Sequence, residues 1–158
     1  MKCIIIEDEP LALDILQSYV EKVSNLALEN TFRDPLKARE YLQQYEVDML
    51  LLDINMPDLN GIQLLKALPQ APMVIFTTAY SQYAIESYDL DAVDYLLKPI
   101  EFDRFLKAVH KANKRLKESE LVQQTKTQDD QQTDFYFVKS GTKNFKILRS
   151  DILYLEAD

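Results

Sequence analysis

Glycine is nearly absent from this chain, with two residues in 158, Gly61 and Gly141. A loop of several glycines cradling a phosphate cannot be built from that, which excludes the P-loop and dinucleotide-binding fingerprints. Tryptophan is missing, and there is one cysteine and one histidine. Cys3 cannot form an internal disulfide, and its place in an apolar run marks it as a small buried hydrophobe in a reducing, cytoplasmic setting. His110 has no cysteine or acidic neighbour at ligand spacing and reads as a surface histidine. No apolar stretch approaches the length of a membrane span, and the N-terminus carries no signal-peptide pattern. Positive charge is also short: the net charge is -8. Residues 1–118 carry 13 basic and 19 acidic side chains, and residues 119–158 carry 5 and 7. Neither part has the electrostatics of a nucleic-acid binder.

What is present is apolar material in short blocks, 47% of the chain, enough to bury a full core. The block Met49-Leu50-Leu51-Leu52 runs straight into Asp53. A short unbroken apolar run fits a strand covered on both faces, as in a parallel sheet between helices. Asp53 then falls at the strand's carboxyl end, where open α/β sheets build their sites. A carboxylate there is half in the core, and it needs a cation or hydrogen-bond donors to stay ionised.

Four similar blocks supply the rest of a sheet. Residues 2–6 form a first strand ending at Glu7-Asp8-Glu9, and Pro10 suits the first turn of the helix that follows. A weak second strand covers residues 26–32. Asp34-Pro35 reads as an N-cap and first helical position. The third strand covers residues 47–52, followed by a loop dense in turn formers and a short helix from Ile62 that Pro69 and Pro72 close. Residues 73–77 and 92–97 are strands four and five, with a helix over residues 80–88 between them. The last helix covers residues 102–117. Alternating strands and helices predict an α/β, doubly wound, five-stranded parallel sheet of flavodoxin-like order 2-1-3-4-5. Residues 119–133 are polar and low in complexity and read as a linker. Residues 134–158 return to a β pattern, with strands over 135–139 and 145–148 and an apolar stretch over 151–156, too little to bury a core alone. The domains expected are therefore 1–118, a linker over 119–133, and a β fragment over 134–158, with the chain stopping inside a second domain.

In that sheet Glu7 and Asp8, Asp53, Thr77 and Thr78, and Lys98 all lie on one edge. Three carboxylates in one cleft repel each other unless a divalent cation binds, and hard oxygen ligands suit Mg²⁺. A carboxylate can attack a phosphoryl group, with the metal and an ammonium neutralising the phosphoryl oxygens. Lys98 is placed to be that ammonium, and a hydroxyl at the end of strand four can hydrogen-bond a remaining oxygen.

Glu7-Asp8, Asp53, Met56-Pro57 with Gly61, Thr78-Ala79 and Lys98-Pro99 together resemble the receiver domain of two-component response regulators, over residues 1–118. The resemblance implies a signalling protein and not an enzyme. It implies that Asp53 accepts a phosphoryl group from a sensor histidine kinase. It makes Glu7, Asp8, Asp53 and the Asn55 backbone carbonyl the Mg²⁺ ligands, Thr78 the switch hydroxyl, Lys98 the phosphate partner and Tyr95 the switch aromatic. Thr77 competes for the Thr78 role, and the following Ala79 favours Thr78. A cis Lys98–Pro99 peptide is expected, as is a homodimer through the face of the fourth helix, fifth strand and fifth helix, with Tyr80, Tyr83, Tyr88 and Phe102 contributing. Phe137-Val138-Lys139 and residues 151–157 are similar to the opening strands of a LytTR-type DNA-binding domain. DNA would then be bound by the complete output domain and not by this fragment.

Blander readings exist for several positions. Glu9 reads as an ordinary helix-start acid and Tyr95 equally as half-buried core. Lys107, Lys111, Lys114, Arg115 and Lys117 read as a solvated helix face. Two other functions share parts of this pattern. A haloacid-dehalogenase-type phosphatase also uses a strand-end Asp, but it wants a second Asp two residues on, where this chain has Asn55. A flavodoxin-like binding module would have to hold an anionic cofactor against three clustered acids.

Overall fold

The computed structural model describes residues 1–80, 91–129, 135–140 and 143–148, with side chains described as far as Ser119. The chain divides into two units, Met1–Leu116 and Lys117–Asp158. In the first, β1 (Lys2–Ile6), β2 (Ala27–Phe32), β3 (Met49–Asp53), β4 (Met73–Thr78) and β5 (Asp94–Leu97) alternate with α1 (Pro10–Glu21), α2 (Pro35–Leu42) and α3 (Gly61–Lys66). The helix Phe102–Asp129 follows β5 and is α4 among the described helices. All described strand pairs of this sheet are parallel, in the order β2-β1-β3-β4-β5. This is the expected doubly wound order.

Alternation along β1, β3 and β4 explains why their buried runs are apolar on both faces. Cys3, Ile5, Met49, Leu51, Ile75 and Leu96 pack with Leu16 and Val20 of α1 and Phe105, Val109 and Ala112 of α4. Their sequence neighbours Ile4, Ile6, Leu50, Leu52, Val74 and Phe76 pack with Ala38 of α2 and Leu64 and Leu65 of α3. Each strand residue thus has helices to bury against on its own side, and each full burial stabilises by about 1.5–3 kcal/mol. Burial also pushes the Cys3 thiol up to about 11, so it packs as a hydrophobe and is not a nucleophile.

Local signals set the helix starts. Asp34 accepts a hydrogen bond from the Leu36 N–H, with Pro35 at the first helical position, as expected. At α3 a reciprocal capping box pairs Asn60 with Gln63, a signal the sequence reading passed over.

Several boundaries differ from expectation. β3 takes in Asp53 and β4 takes in Thr78. The last helix does not end at Lys117 but continues to Asp129, so the segment read as a linker is helical up to that residue. Its Glu, Leu, Gln and Lys are good helix formers, and no Gly or Pro interrupts them. Residues 130–133 lie outside the described residues. So do residues 81–90, which include most of the expected fourth helix with Tyr83 and Tyr88, and residues 149–158, with the expected strand there. In the second unit, β6 (Phe135–Ser140) and β7 (Lys143–Leu148) pair antiparallel, from Phe135 opposite Leu148 to Ser140 opposite Lys143. Both strands are longer than expected and take in Ser140, Lys143 and Asn144. Among the described residues no helix is long and apolar enough to cross a membrane.

Candidate functional site: an acidic cluster at the carboxyl edge of the sheet

The strand order makes β1, β3, β4 and β5 consecutive neighbours, so their carboxyl ends present side chains to one another. Glu7 follows β1 directly and is fully buried. Asp53 is the last residue of β3 and 2% exposed. Lys98 follows β5 and reaches back across β4. Its Nζ lies 2.8 Å from Glu7 Oε1, 3.5 Å from Asp53 Oδ2 and 3.6 Å from Glu9 Oε2. One ammonium therefore serves three carboxylates. Glu9 belongs to the rim of this group, where its sequence position suggested only an ordinary helix start. It makes no side-chain cap for α1.

Glu7 is held from three sides. Besides Lys98, the Glu9 N–H donates to Oε1 at 3.2 Å, and the Thr77 hydroxyl donates to Oε2 at 3.4 Å. Thr77 thus has a use of its own at the site. Thr78 Oγ1 accepts the Tyr80 N–H at 3.1 Å and can still donate its own proton. The two threonines point to different work. Tyr95 is half-buried and stacks on Phe76 with ring centroids 5.3 Å apart.

Burial raises the Asp53 carboxyl above its ordinary range; Lys98 and the Asn55 backbone N–H oppose this, and the Asp8 charge adds to it. Burial likewise raises Glu7, opposed by its bond to Lys98 and reinforced by Asp53. For Lys98 burial acts to lower the pKa, but the Glu7 hydrogen bond and the Asp53, Glu7 and Glu9 charges outweigh it and hold the ammonium above its usual value. The cluster is short of positive charge: one lysine faces Glu7, Asp8, Glu9 and Asp53.

A divalent cation fits that deficit. Oxygens of Glu7, Asp8 and Asp53 all lie within 4.8 Å of one another. Asp53 Oδ1 is buried with no hydrogen-bond partner among the described residues. An all-oxygen donor set of this charge suits a hard ion such as Mg²⁺.

The loop after Asp53 is held close by a glycine. The Gly61 N–H donates to the Ile54 carbonyl at 3.0 Å, and a Cβ on Gly61 would sit 2.2 Å from the Asp53 carbonyl oxygen. Gly61 is used for its missing side chain. Asp58, in the same loop, takes the left-handed conformation at φ 66°. The Lys98–Pro99 peptide is cis, as expected.

A second charged group lies at the start of β5. Arg104 donates two bonds to the Asp94 carboxylate, at 3.0 and 3.1 Å, and Lys111 donates a third at 2.9 Å. Arg115 pairs with Asp91. Lys111 and Arg115 are therefore engaged and are not simply solvated. Phe102 is partly buried and packs against Tyr19, centroids 4.9 Å apart, at the border of the core. Burial raises Asp94, but Arg104 and Lys111 outweigh it and hold the carboxyl below its usual value. A carboxylate depressed in the folded state stabilises above its unfolded pKa, and that stability is lost as pH falls through the folded value. The stability difference between wild type and Asp94→Asn is therefore expected to shrink as the pH drops below about 4. Urea midpoints at neutral and acid pH measure it, and a constant difference would contradict the ion pairing.

Comparison with known proteins places this arrangement. A model of the response regulator receiver domain matches residues 3–110. The chain is 35% identical over 119 residues to the sensory transduction protein LytR of Staphylococcus saprophyticus, covering 73% of this chain and 47% of that protein. It is 39% identical over 107 residues to the transcriptional regulatory protein YpdB of Escherichia coli K12, covering 66% and 44%. It thus spans about half the length of these curated relatives. The crystal structure of the response regulatory domain of MrkE from Klebsiella pneumoniae superposes with a TM-score of 0.69 at 34% identity, covering 75% of this chain and 99% of that one. Sequence, sheet order and family match agree over the same stretch: this chain belongs to the response regulator receiver domain family of two-component systems.

Proposed function

We propose that the protein is a phosphorylation-dependent switch in which Asp53 is the phosphoacceptor, a sensor histidine kinase the donor, and a DNA-binding transcription output the target. The observation that carries this is the Asp53 carboxylate: nearly buried, with Oδ1 unpartnered among the described residues and Oδ2 3.5 Å from an ammonium. An Asp53 oxygen attacks the phosphorus of a phosphohistidine. The P–N bond breaks, and its electron pair passes to the imidazole nitrogen, which takes up a proton. No general base is needed, since the attacking group is a carboxylate. Lys98 moves toward the charge gathering on the phosphoryl oxygens, and the Thr78 hydroxyl donates to one of them. Glu7, Asp8, Asp53 and the Asn55 backbone carbonyl would hold Mg²⁺. When bound, the ion supplies positive charge to the phosphoryl oxygens. Because the donor is consumed once per modified Asp53, the protein acts as a stoichiometric switch and not as an enzyme.

Drawing Thr78 inward frees space beside Phe76, where Tyr95 already stacks, and Tyr95 follows. The change reaches the face carrying Tyr80 and Leu97, 52% and 53% exposed, through which two copies associate. The name of YpdB, a transcriptional regulatory protein, supports a DNA output, delivered by a complete output domain and not by the β6–β7 hairpin alone. The cytoplasm is the setting such a switch requires.

Acetyl phosphate with Mg²⁺ is expected to phosphorylate the wild type on one residue, and chelating the metal is expected to stop it. Intact-mass measurement reads the result beside Asp53→Asn, and equal labelling of the two proteins would remove the assignment. Beryllofluoride with Mg²⁺ is expected to raise the mass of the assembly in solution.

A further inference from the structure

The structure offers a positioning device for Lys98. β5 has four residues and lies at the edge of the sheet, paired with β4. A short edge strand is the least firmly held element of a sheet, and its outward carbonyls need acceptable donors. Lys98 stands at the end of this strand and must still place its Nζ within 2.8 Å of Glu7, on the far side of β4. The loop that carries it, from Lys98 to Glu101, joins β5 to α4.

Arg104, in the first turn of α4, ties the start of that helix back to Asp94 and Tyr95, the first two residues of β5. One guanidinium nitrogen bonds Asp94 Oδ2 at 3.0 Å; the other bonds Asp94 Oδ1 at 3.1 Å and the Tyr95 carbonyl oxygen at 2.8 Å. The planar fork thus holds both oxygens of a carboxylate and a main-chain carbonyl of the same strand from two nitrogens at fixed angles, a geometry that a lysine's single nitrogen does not reproduce. We infer that Arg104 is a positioning residue for phosphoryl transfer: it clamps β5 to the start of α4 and so fixes where the Lys98 ammonium is delivered. This rests on the reading of Asp53 as phosphoacceptor and Lys98 as its partner. It adds a residue that touches neither phosphate nor metal.

The test is a double-mutant cycle read by the rate of acetyl phosphate labelling in Mg²⁺. Arg104→Gln is expected to slow labelling about tenfold, and to have no further effect, within about twofold, in a Lys98→Ala background. A purely structural loss would slow both backgrounds alike, so equal slowing overturns the inference, as does labelling of Arg104→Gln at the wild-type rate. A second readout needs no phosphorylation. Exchange of the Lys98 backbone N–H, which bonds the Thr78 carbonyl at 2.8 Å, is expected to rise about tenfold in Arg104→Gln while Ile4 and Ile5 in β1 are unchanged. Unchanged exchange at Lys98 overturns the clamp. If the wild type takes no label, the phosphoacceptor reading fails by itself, and the exchange measurement still decides the clamp. Should Arg104→Gln not fold, Arg104→Lys keeps a cation opposite Asp94, lacks the fork, and carries the same comparisons.

Discussion

Replacing Asp53 by Asn is expected to abolish phosphorylation and, in metal-free buffer, to make the protein more stable. The two effects share one cause. Asp53 is 2% exposed, its Oδ1 has no hydrogen-bond partner among the described residues, and it shares Lys98 with Glu7 and Glu9. A neutral amide removes one of the crowded negative charges and introduces donors among acceptors. Lys98 keeps its 2.8 Å bond to Glu7, so the substitution does not strand a buried cation. The gain is about 1–3 kcal/mol, the usual cost of leaving a buried polar atom unsatisfied. With Mg²⁺ present the order reverses. The wild type gains stability by mass action, about 2.7 kcal/mol at a hundred times the dissociation constant, and the variant, one ligand short, gains less. Urea unfolding with EDTA and then with Mg²⁺ reads both signs. A variant less stable than wild type in EDTA would mean that the carboxylate is satisfied in the metal-free protein.

Gly61→Ala is expected to be strongly destabilising. The added Cβ would meet the Asp53 carbonyl oxygen at 2.2 Å, with Leu52 Cγ at 3.0 Å and the Asp53 carbonyl carbon at 3.1 Å. Two of these three atoms are backbone, and Leu52 is wholly buried, so no flexible side chain can turn away. Either the Gly61–Ile54 hydrogen bond breaks or the end of β3 moves. The loss is expected at about 2–4 kcal/mol, at or above the upper range for overpacking a well-packed interior. Labelling of Asp53 should slow as well, because the displaced backbone carries the nucleophile. A urea midpoint lowered by less than about 1 kcal/mol, with the slope unchanged, would show that the loop yields cheaply.

How far the sequence carried the argument depends on the range of each interaction. The strand at Met49–Asp53 was legible because burial on both faces writes an unbroken apolar run. Asp34-Pro35 was legible because a cap acts within three residues. The Asn60–Gln63 capping box is just as local and could have been found by its spacing. The helix through the linker was not legible for another reason: a polar segment without an apolar stripe gives no periodic signal, yet its residues favour helix as far as Asp129. Arg104 and Asp94 are ten residues apart, and only the turn from β5 into α4 brings them together.

The order of chemistry-bearing residues at the strand ends, and the apolar blocks that carry them, were determined by the sequence alone. Periodicity and turn chemistry are short-range and sufficient for an α/β sheet whose site lies at its carboxyl edge. Only the folded chain decided which carboxylate takes the lysine most closely, which threonine serves Glu7, that Glu9 joins the rim, and why position 61 has no side chain. Each of those depends on distances of a few ångströms between residues up to 91 positions apart, and such distances are set by packing and not by pattern.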